Sequence, residues 1–300
     1  MTTLTARDKT AILLETMPWL RHHRGKYVVI KYGGNAMVDD SLMHAFAQDV
    51  LFLHQWGVKP VVVHGGGPQI NQMLSRVGLD APFTKGLRVT TEDVMEIVRM
   101  VLIGKVQREL VSLLNVQGYQ AIGLAGEDAG LFQAQRTPAW VDGEAVDIGL
   151  VGTITHVNAQ PLMALVDSGF IPVVSSVAPN QDAPSGVLNI NADSAAAALA
   201  GAIGAEKLIM LTDVEGLYAN YPDPNSLISR LSRSELAALV PTLDSGMAPK
   251  MAAALAALEQ GVPRVHVIDG RQPHSMLLEV FTDEGVGTMI TADGNEGEDQ

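Results

Sequence analysis

Val28-Val29-Ile30-Lys31-Tyr32-Gly33-Gly34 is an apolar run that ends in a lysine and two glycines, and Val61-Val62-Val63-His64-Gly65-Gly66-Gly67-Pro68 follows the same plan further along the chain. Each reads as a buried strand that delivers its carboxyl end into a glycine loop. After the second loop Ile70, Met73, Leu74 and Val77 fall at i, i+3, i+4 and i+7, with Gly78 as the stop, so a helix follows directly. Strand, loop and helix in that order predict a parallel α/β fold.

Outward from these two units the alternation continues. Ile171 to Val174, Lys207 to Leu211 and Arg264 to Ile268 read as further buried strands, and Lys26 and Val58 open the first two. Thr91 to Asn115 carries helical spacing at Val94, Val98, Val101 and Leu102. Ser232 and Glu235 stand in capping-box spacing, and an alanine-rich helix spans about Pro249 to Gln260. Tyr119 to Asn191, broken by Gly, Pro and Asp, reads as strands and hairpins over a sheet, in the place of a substrate lid. The Pro- and Asn-containing stretch Ala178 to Ser185 reads as the join of two lobes. The expected organisation is an N-terminal helix over 1–25, an N-lobe over 26–180, a C-lobe over 181–292 and a disordered acidic tail over 293–300. The expected fold is an αβα sandwich around an open, mainly parallel sheet.

With 300 residues, 47% of them apolar, the chain has ample surface to bury. Twenty Lys and Arg against 33 Asp and Glu give a charge of -13, which argues against nucleic acid or an anionic membrane as principal partner. Cysteine is absent, which removes disulfides, thiolate metal sites and a thiol nucleophile. No apolar run reaches the length of a membrane span, and no secretory signal pattern opens the sequence, so the cytoplasm is the expected compartment.

Both glycine loops lie where ligands of open parallel sheets bind, at the carboxyl ends of strands. Gly34, Gly66 and Gly67 let backbone N–H groups approach an anion, and the second loop also meets a helix N-terminus, which favours phosphate. Two tight turns are the plain structural alternative. Neither loop is a G-x-x-x-x-G-K-[ST] P-loop or a G-x-G-x-x-G dinucleotide fingerprint, and the protein-kinase catalytic-loop pattern is missing. Lys250, in the first turn of its helix, opposes the helix dipole unless an anion lies nearby.

The segments Lys31-Tyr32-Gly33-Gly34-Asn35-Ala36, Val63-His64-Gly65-Gly66-Gly67-Pro68, Lys85-Gly86-Leu87-Arg88-Val89-Thr90, Asp147-Ile148-Gly149-Leu150-Val151-Gly152, Leu188-Asn189-Ile190-Asn191-Ala192-Asp193 and Gly246-Met247-Ala248-Pro249-Lys250-Met251 follow a known order and spacing. By them the chain resembles the amino-acid kinase family and, within it, the acetylglutamate branch. The resemblance runs from Lys26 to Ile290 and implies transfer of the ATP γ-phosphoryl group to the side-chain carboxylate of N-acetyl-L-glutamate. A carboxylate of pKa about 4.3 is already ionised at neutral pH, so no general base is needed. Positioning and charge neutralisation remain.

The same resemblance implies the residue roles. Lys31 and Lys250 flank the migrating phosphoryl group, and Asp193 orients them, with a helix N-cap as its structural alternative. Gly33, Gly34 and Gly66 offer backbone to phosphate, and Gly66 and Gly67 border the acid. Asn189 and Asn191 are substrate ligands, and Arg88 clamps the α-carboxylate, where a guanidinium fork suits a planar anion. Thr212, Asp213, Gly216, Leu217 and Tyr218 form the adenine and ribose segment. Mg²⁺ is expected, held mainly by ATP phosphates and water. His64 reads as loop structure.

About 25 residues precede the first strand, and Thr10 to Leu20 reads as a helix with Ile12, Leu13, Thr16, Met17 and Leu20 on one broad stripe, kinked or ended by Pro18. In the arginine-sensitive kinases that the chain resembles, such a helix builds a hexamer, a trimer of dimers. His266, Glu279 and Gly285 fall in segments that resemble the family's site for L-arginine. A binding homologue without phosphoryl transfer is the rival from another class, and another small-acid kinase of the family is the nearer alternative.

Overall fold

Eight strands form the main sheet of the computed structural model, which describes residues 5–118, 120–141, 143–183, 186–221, 223–281 and 285–293. They are β1 (Tyr27–Tyr32), β2 (Lys59–His64), β3 (Ala121–Ala125), β4 (Ile171–Ser175), β5 (Lys207–Thr212), β6 (Arg230–Ser232), β7 (Arg264–Asp269) and β8 (Thr288–Thr291), in the order β6-β8-β7-β5-β1-β2-β4-β3. All neighbouring pairs are parallel except β7 with β8. The five strands expected from sequence all lie in this sheet. β3 was expected among the lid hairpins; it is the edge strand beside β4.

Period-two alternation assigns the two faces. Val28, Ile30 and Tyr32 of β1 belong to one core with Val62 of β2, whereas Val29 joins Val61 and Val63 in the other. The first core packs under α1 (Ala6–His23), α2 (Asp40–Gln55), α3 (Gly67–Val77) and α4, the helical run 92–114 whose middle, Met100–Val106, has π geometry. The second packs under α5 (Gln160–Asp167), α6 (Ala192–Ala202), α7 (Arg233–Leu239) and α8 (Ala248–Glu259). The small side chains of α6 and α8, Ala195, Ala196, Ala253 and Ala254 among them, are buried and let these helices lie close to the sheet. The result is the expected αβα sandwich.

Four of the remaining strands make a second sheet, in the order Val177–Pro179, Val187–Ile190, Val151–Val157, Phe132–Arg136. The expected join at 178–185 falls in this sheet, in the connection between two antiparallel strands, and residues 184 and 185 lie outside the described residues.

Two expectations are corrected. Of the two outcomes expected at Pro18, a kink or an end, the end does not occur: α1 begins on a Thr5–Asp8 capping box and runs through to His23. Proline removes one hydrogen bond to the carbonyl four residues earlier, and Leu14, which carries it, is 66% exposed, so water can satisfy it. Asp293 was read as the start of the acidic tail, but its carboxylate accepts from Ser234 N at 2.9 Å and pairs with Arg233. The rest of that tail, 294–300, lies outside the described residues.

Candidate active site

β1 is central, and the chain leaves it towards β2 on one side and later returns to β5 on the other, so a crevice opens beyond the carboxyl ends of β1 and β5. The loops there touch: Asn35 N donates to Asp213 Oδ1 at 2.8 Å. A Cβ on Gly34 would lie 2.6 Å from the same carboxylate oxygen, and Gly34 has φ +74°, so both geometry and space call for glycine. At Gly66 the limit is space alone, since its φ is that of extended backbone and a Cβ there would meet Leu102 Cδ2 at 2.8 Å.

Strand alternation turns Lys31 to the same face as Val29, towards α6. Its Nζ lies 3.0 Å from Asp193 Oδ1, and Lys250 Nζ lies 3.0 Å from Asp193 Oδ2. One carboxylate therefore bridges two ammonium groups that are 219 residues apart in the chain. Burial pushes the Lys31 ammonium below its ordinary pKa, against the pull of Asp193. Burial alone would raise Asp193, but Lys31 and Lys250 together hold it below the usual carboxylate range. The helix N-cap is Asn191, whose Oδ1 accepts from Asp193 N at 2.8 Å and Ser194 N at 3.2 Å. Asp193 sits within the first turn with its carboxylate free for the lysines, so the alternative reading of Asp193 as the cap is not what the fold uses.

Two cavities meet at Lys250. The first, of about 280 Å³, is lined by Lys31, Gly33, Gly34, Gly66, Gly67, Arg88, Asn189, Asn191, Asp193 and Lys250. The second, of about 460 Å³, is lined by Thr212, Asp213, Gly216, Leu217, Tyr218 and again Lys250. Hence every residue singled out for the acid, phosphate and nucleotide lines one of two adjoining cavities. Arg88 is buried beneath Phe83, with its guanidinium carbon 4.5 Å from the ring centre, and Nη2 donates to Asn71 Oδ1 at 2.6 Å. Burial lowers its pKa, yet guanidinium stays charged.

Sequence reasoning missed several participants. The roof of the first cavity is the hairpin of Phe83–Thr84 and Leu87–Arg88, which precedes the region read as a lid. Its Gly86 (φ +79°) lies against the start of α8, where a Cβ would come 2.7 Å from Ser245 O. Phe83 and Ser176 line the first cavity, and Tyr221 and Met247 the second. Asp244 gave a local signal, a carboxylate two residues before a glycine; it accepts from Gly246 N and Met247 N and shapes the turn into α8. His64 Nδ1 bonds Gly65 O at 2.9 Å and burial lowers its pKa to about 4, so the neutral ring donates to the loop.

The three residues expected for arginine converge away from these cavities. His266 Nδ1 lies 2.6 Å from Glu279 Oε1, and a Cβ on Gly285 would lie 3.3 Å from Glu279 Oε2. That second oxygen accepts from Val286 N at 2.7 Å.

Residues 26–269 match the model of the amino acid kinase family, and the chain belongs to that family and with it to the ATP-dependent kinases. Its curated relatives include the acetylglutamate kinase of Saccharopolyspora erythraea, 59% identical over 97% of this chain and 95% of the relative. The acetylglutamate kinase of Nocardia farcinica is 59% identical over 96% and 94%. Among solved structures, N-acetylglutamate synthase from Neisseria gonorrhoeae, complexed with coenzyme A and N-acetyl-glutamate, superposes with a TM-score of 0.81 at 27% identity. It covers 94% of this chain, which spans only 63% of that one. Carbamate kinase from Giardia lamblia bound to AMP-PNP shares the fold, with a TM-score of 0.65 at 19% identity over 90% of this chain and 99% of that one.

Proposed function

We propose that the chain transfers the γ-phosphoryl group of ATP to the side-chain carboxylate of N-acetyl-L-glutamate, as the names of its relatives suggest. The observation that carries this reading is the Lys31–Asp193–Lys250 bridge, placed where a cavity lined by both glycine loops and a second, more apolar cavity adjoin. Acid occupies the first cavity, with its α-carboxylate at Arg88 and its amide at Asn189. ATP occupies the second and extends its phosphates to Lys250. A carboxylate oxygen attacks the γ-phosphorus while the bond to the β–γ bridging oxygen breaks, so that ADP leaves and an acyl phosphate forms. Backbone N–H groups at Gly34 and Gly66 and the two ammonium groups neutralise the transferring group. The division of labour follows the lobes 26–180 and 181–292 only in outline, because Asn189, Asn191 and Asp193 come from the second.

The residues present fit a Mg²⁺ ion carried by the nucleotide. Asp193, the buried carboxylate of the site, is occupied by two ammonium groups, and Asp213 in the nucleotide cavity accepts from Asn35 N, so the ion would be held mainly by phosphate oxygens and water. The ion would supply charge neutralisation between the β- and γ-phosphates.

Regulation by L-arginine belongs to the same reading. His266, neutral by burial, hydrogen-bonds a buried Glu279 that it and Val286 N hold ionised, an arrangement suited to a guanidinium. Ile12, Leu13 and Leu14 of α1 are exposed, which supports packing of that helix against another subunit in a hexamer. The test is a substrate panel of N-acetyl-L-glutamate, glutamate, aspartate and carbamate with ADP release as readout, repeated with millimolar arginine. The acetylated acid should be strongly preferred, and arginine inhibition should vanish when the residues before Gly25 are removed. Equal use of glutamate would overturn the substrate assignment. Inhibition that survives the truncation would overturn the role given to α1.

A further inference from the structure

Thr90 touches neither cavity and is fully buried, yet its hydroxyl joins two residues of the substrate site. Thr90 Oγ1 donates to Arg88 O at 2.8 Å and accepts from Asn189 Nδ2 at 3.2 Å. A hydroxyl has one proton, and here the Arg88 carbonyl takes it. The hydroxyl can therefore offer Asn189 only a lone pair, which fixes the amide with its NH₂ towards Thr90 and its Oδ1 as the group left for the cavity. The backbones hold both residues in place independently: Thr90 N donates to Ile148 O, Leu150 N to Thr90 O, and Asn189 N to Leu150 O.

We propose that Thr90 is a positioning residue that makes Asn189 a hydrogen-bond acceptor towards the substrate, so that the site selects an acid bearing an N–H donor at that point. The inference rests on the functional reading above and deepens it, because a secondary amide presents such a donor whereas an ester of the same shape presents an oxygen lone pair. An acceptor facing an acceptor loses the bond and leaves a desolvated oxygen unpaired.

The test compares N-acetyl-L-glutamate with its ester analogue, 2-acetoxyglutarate, in the wild type and in Thr90→Val, Thr90→Ser and Asn189→Ala. The wild type should favour the amide in kcat/KM. Thr90→Val, which keeps the shape and removes the lone pair, should shrink that preference about tenfold through KM for the acid, with KM for ATP unchanged. Thr90→Ser should retain the preference. In the Asn189→Ala background the valine substitution should have no further effect on the ratio, whereas a merely structural role for Thr90 would show in both backgrounds. An unaltered preference in folded Thr90→Val, or an equal effect of the valine in both backgrounds, overturns the assignment. A wild-type enzyme that does not phosphorylate the acetylated acid overturns the functional reading itself, and the role of Thr90 with it.

Discussion

Replacing Asp193 with asparagine removes one charge from a bridge of three while keeping its shape. At 3.0 Å and an effective dielectric of about 20, each lysine is attracted to the carboxylate by about 5 kcal/mol before desolvation is subtracted. Breaking a buried pair from one side costs about 3–5 kcal/mol, because the partner is left charged and unpaired. Lys31 is that partner, since its side chain is 6% exposed against 26% for Lys250. Burial already depresses the Lys31 pKa, and Asp193 opposes that shift. Without the carboxylate, Lys31 should give up its proton at lower pH, and a neutral amine no longer stabilises the transferring phosphoryl group. Loss of one such contact is worth about 3 kcal/mol, or about a hundredfold in turnover. ADP release measured from pH 6 to 9 should therefore show kcat for Asp193→Asn about a hundredfold down near neutrality and falling further as pH rises. KM for ATP should change by less than about tenfold, because the nucleotide cavity is lined by other residues. Stability should respond oppositely in acid. The depressed pKa of Asp193 gives stability that is present above about pH 4 and lost as pH falls through the folded value, and the variant lacks that loss. Turnover within about threefold of the wild type in a folded Asp193→Asn protein would refute the reasoning.

Three further outcomes follow from the geometry. Gly34→Ala should weaken ATP use and cost about 1–2 kcal/mol of stability, since it sets a Cβ against the Asp213 carboxylate at positive φ; ATP titration and thermal melts check both. Arg88→Lys keeps the charge but loses the fork held by Asn71 and the stack on Phe83, so KM for the acid should rise about tenfold at constant KM for ATP in initial-rate measurements. Burial raises the Asp49 pKa to about 6, where it faces His274 Nδ1 at 2.6 Å, so its contribution is fully present below about pH 4 and lost as pH rises through 6. Asp49→Asn should thus gain on the wild type as pH rises from about 4 to about 6, by up to about 3 kcal/mol in chemical denaturation; a constant difference across that range contradicts it.

The alternation of apolar runs with helical spacing was enough to read the αβα class and five of the eight main-sheet strands, because strand burial and helix amphipathicity are written in residues two to four apart. Glycine loops were legible for the same local reason: Gly34 and Gly66 stand immediately after their strands. The edge strand β3 was not, since Ala121 to Ala125 is short, contains Gly123 and is only partly buried over most of its length. What depended on tertiary structure was convergence. Lys31, Asp193 and Lys250 become one charged unit only because β1 lies between β2 and β5 with α6 and α8 packed over the same face, and no spacing along the chain encodes that. Thr90 is the sharper case. The sequence placed it at the end of the segment Lys85 to Thr90 without a role, and its meaning comes from the single hydroxyl proton that the fold directs to Arg88 O, which leaves only a lone pair for Asn189.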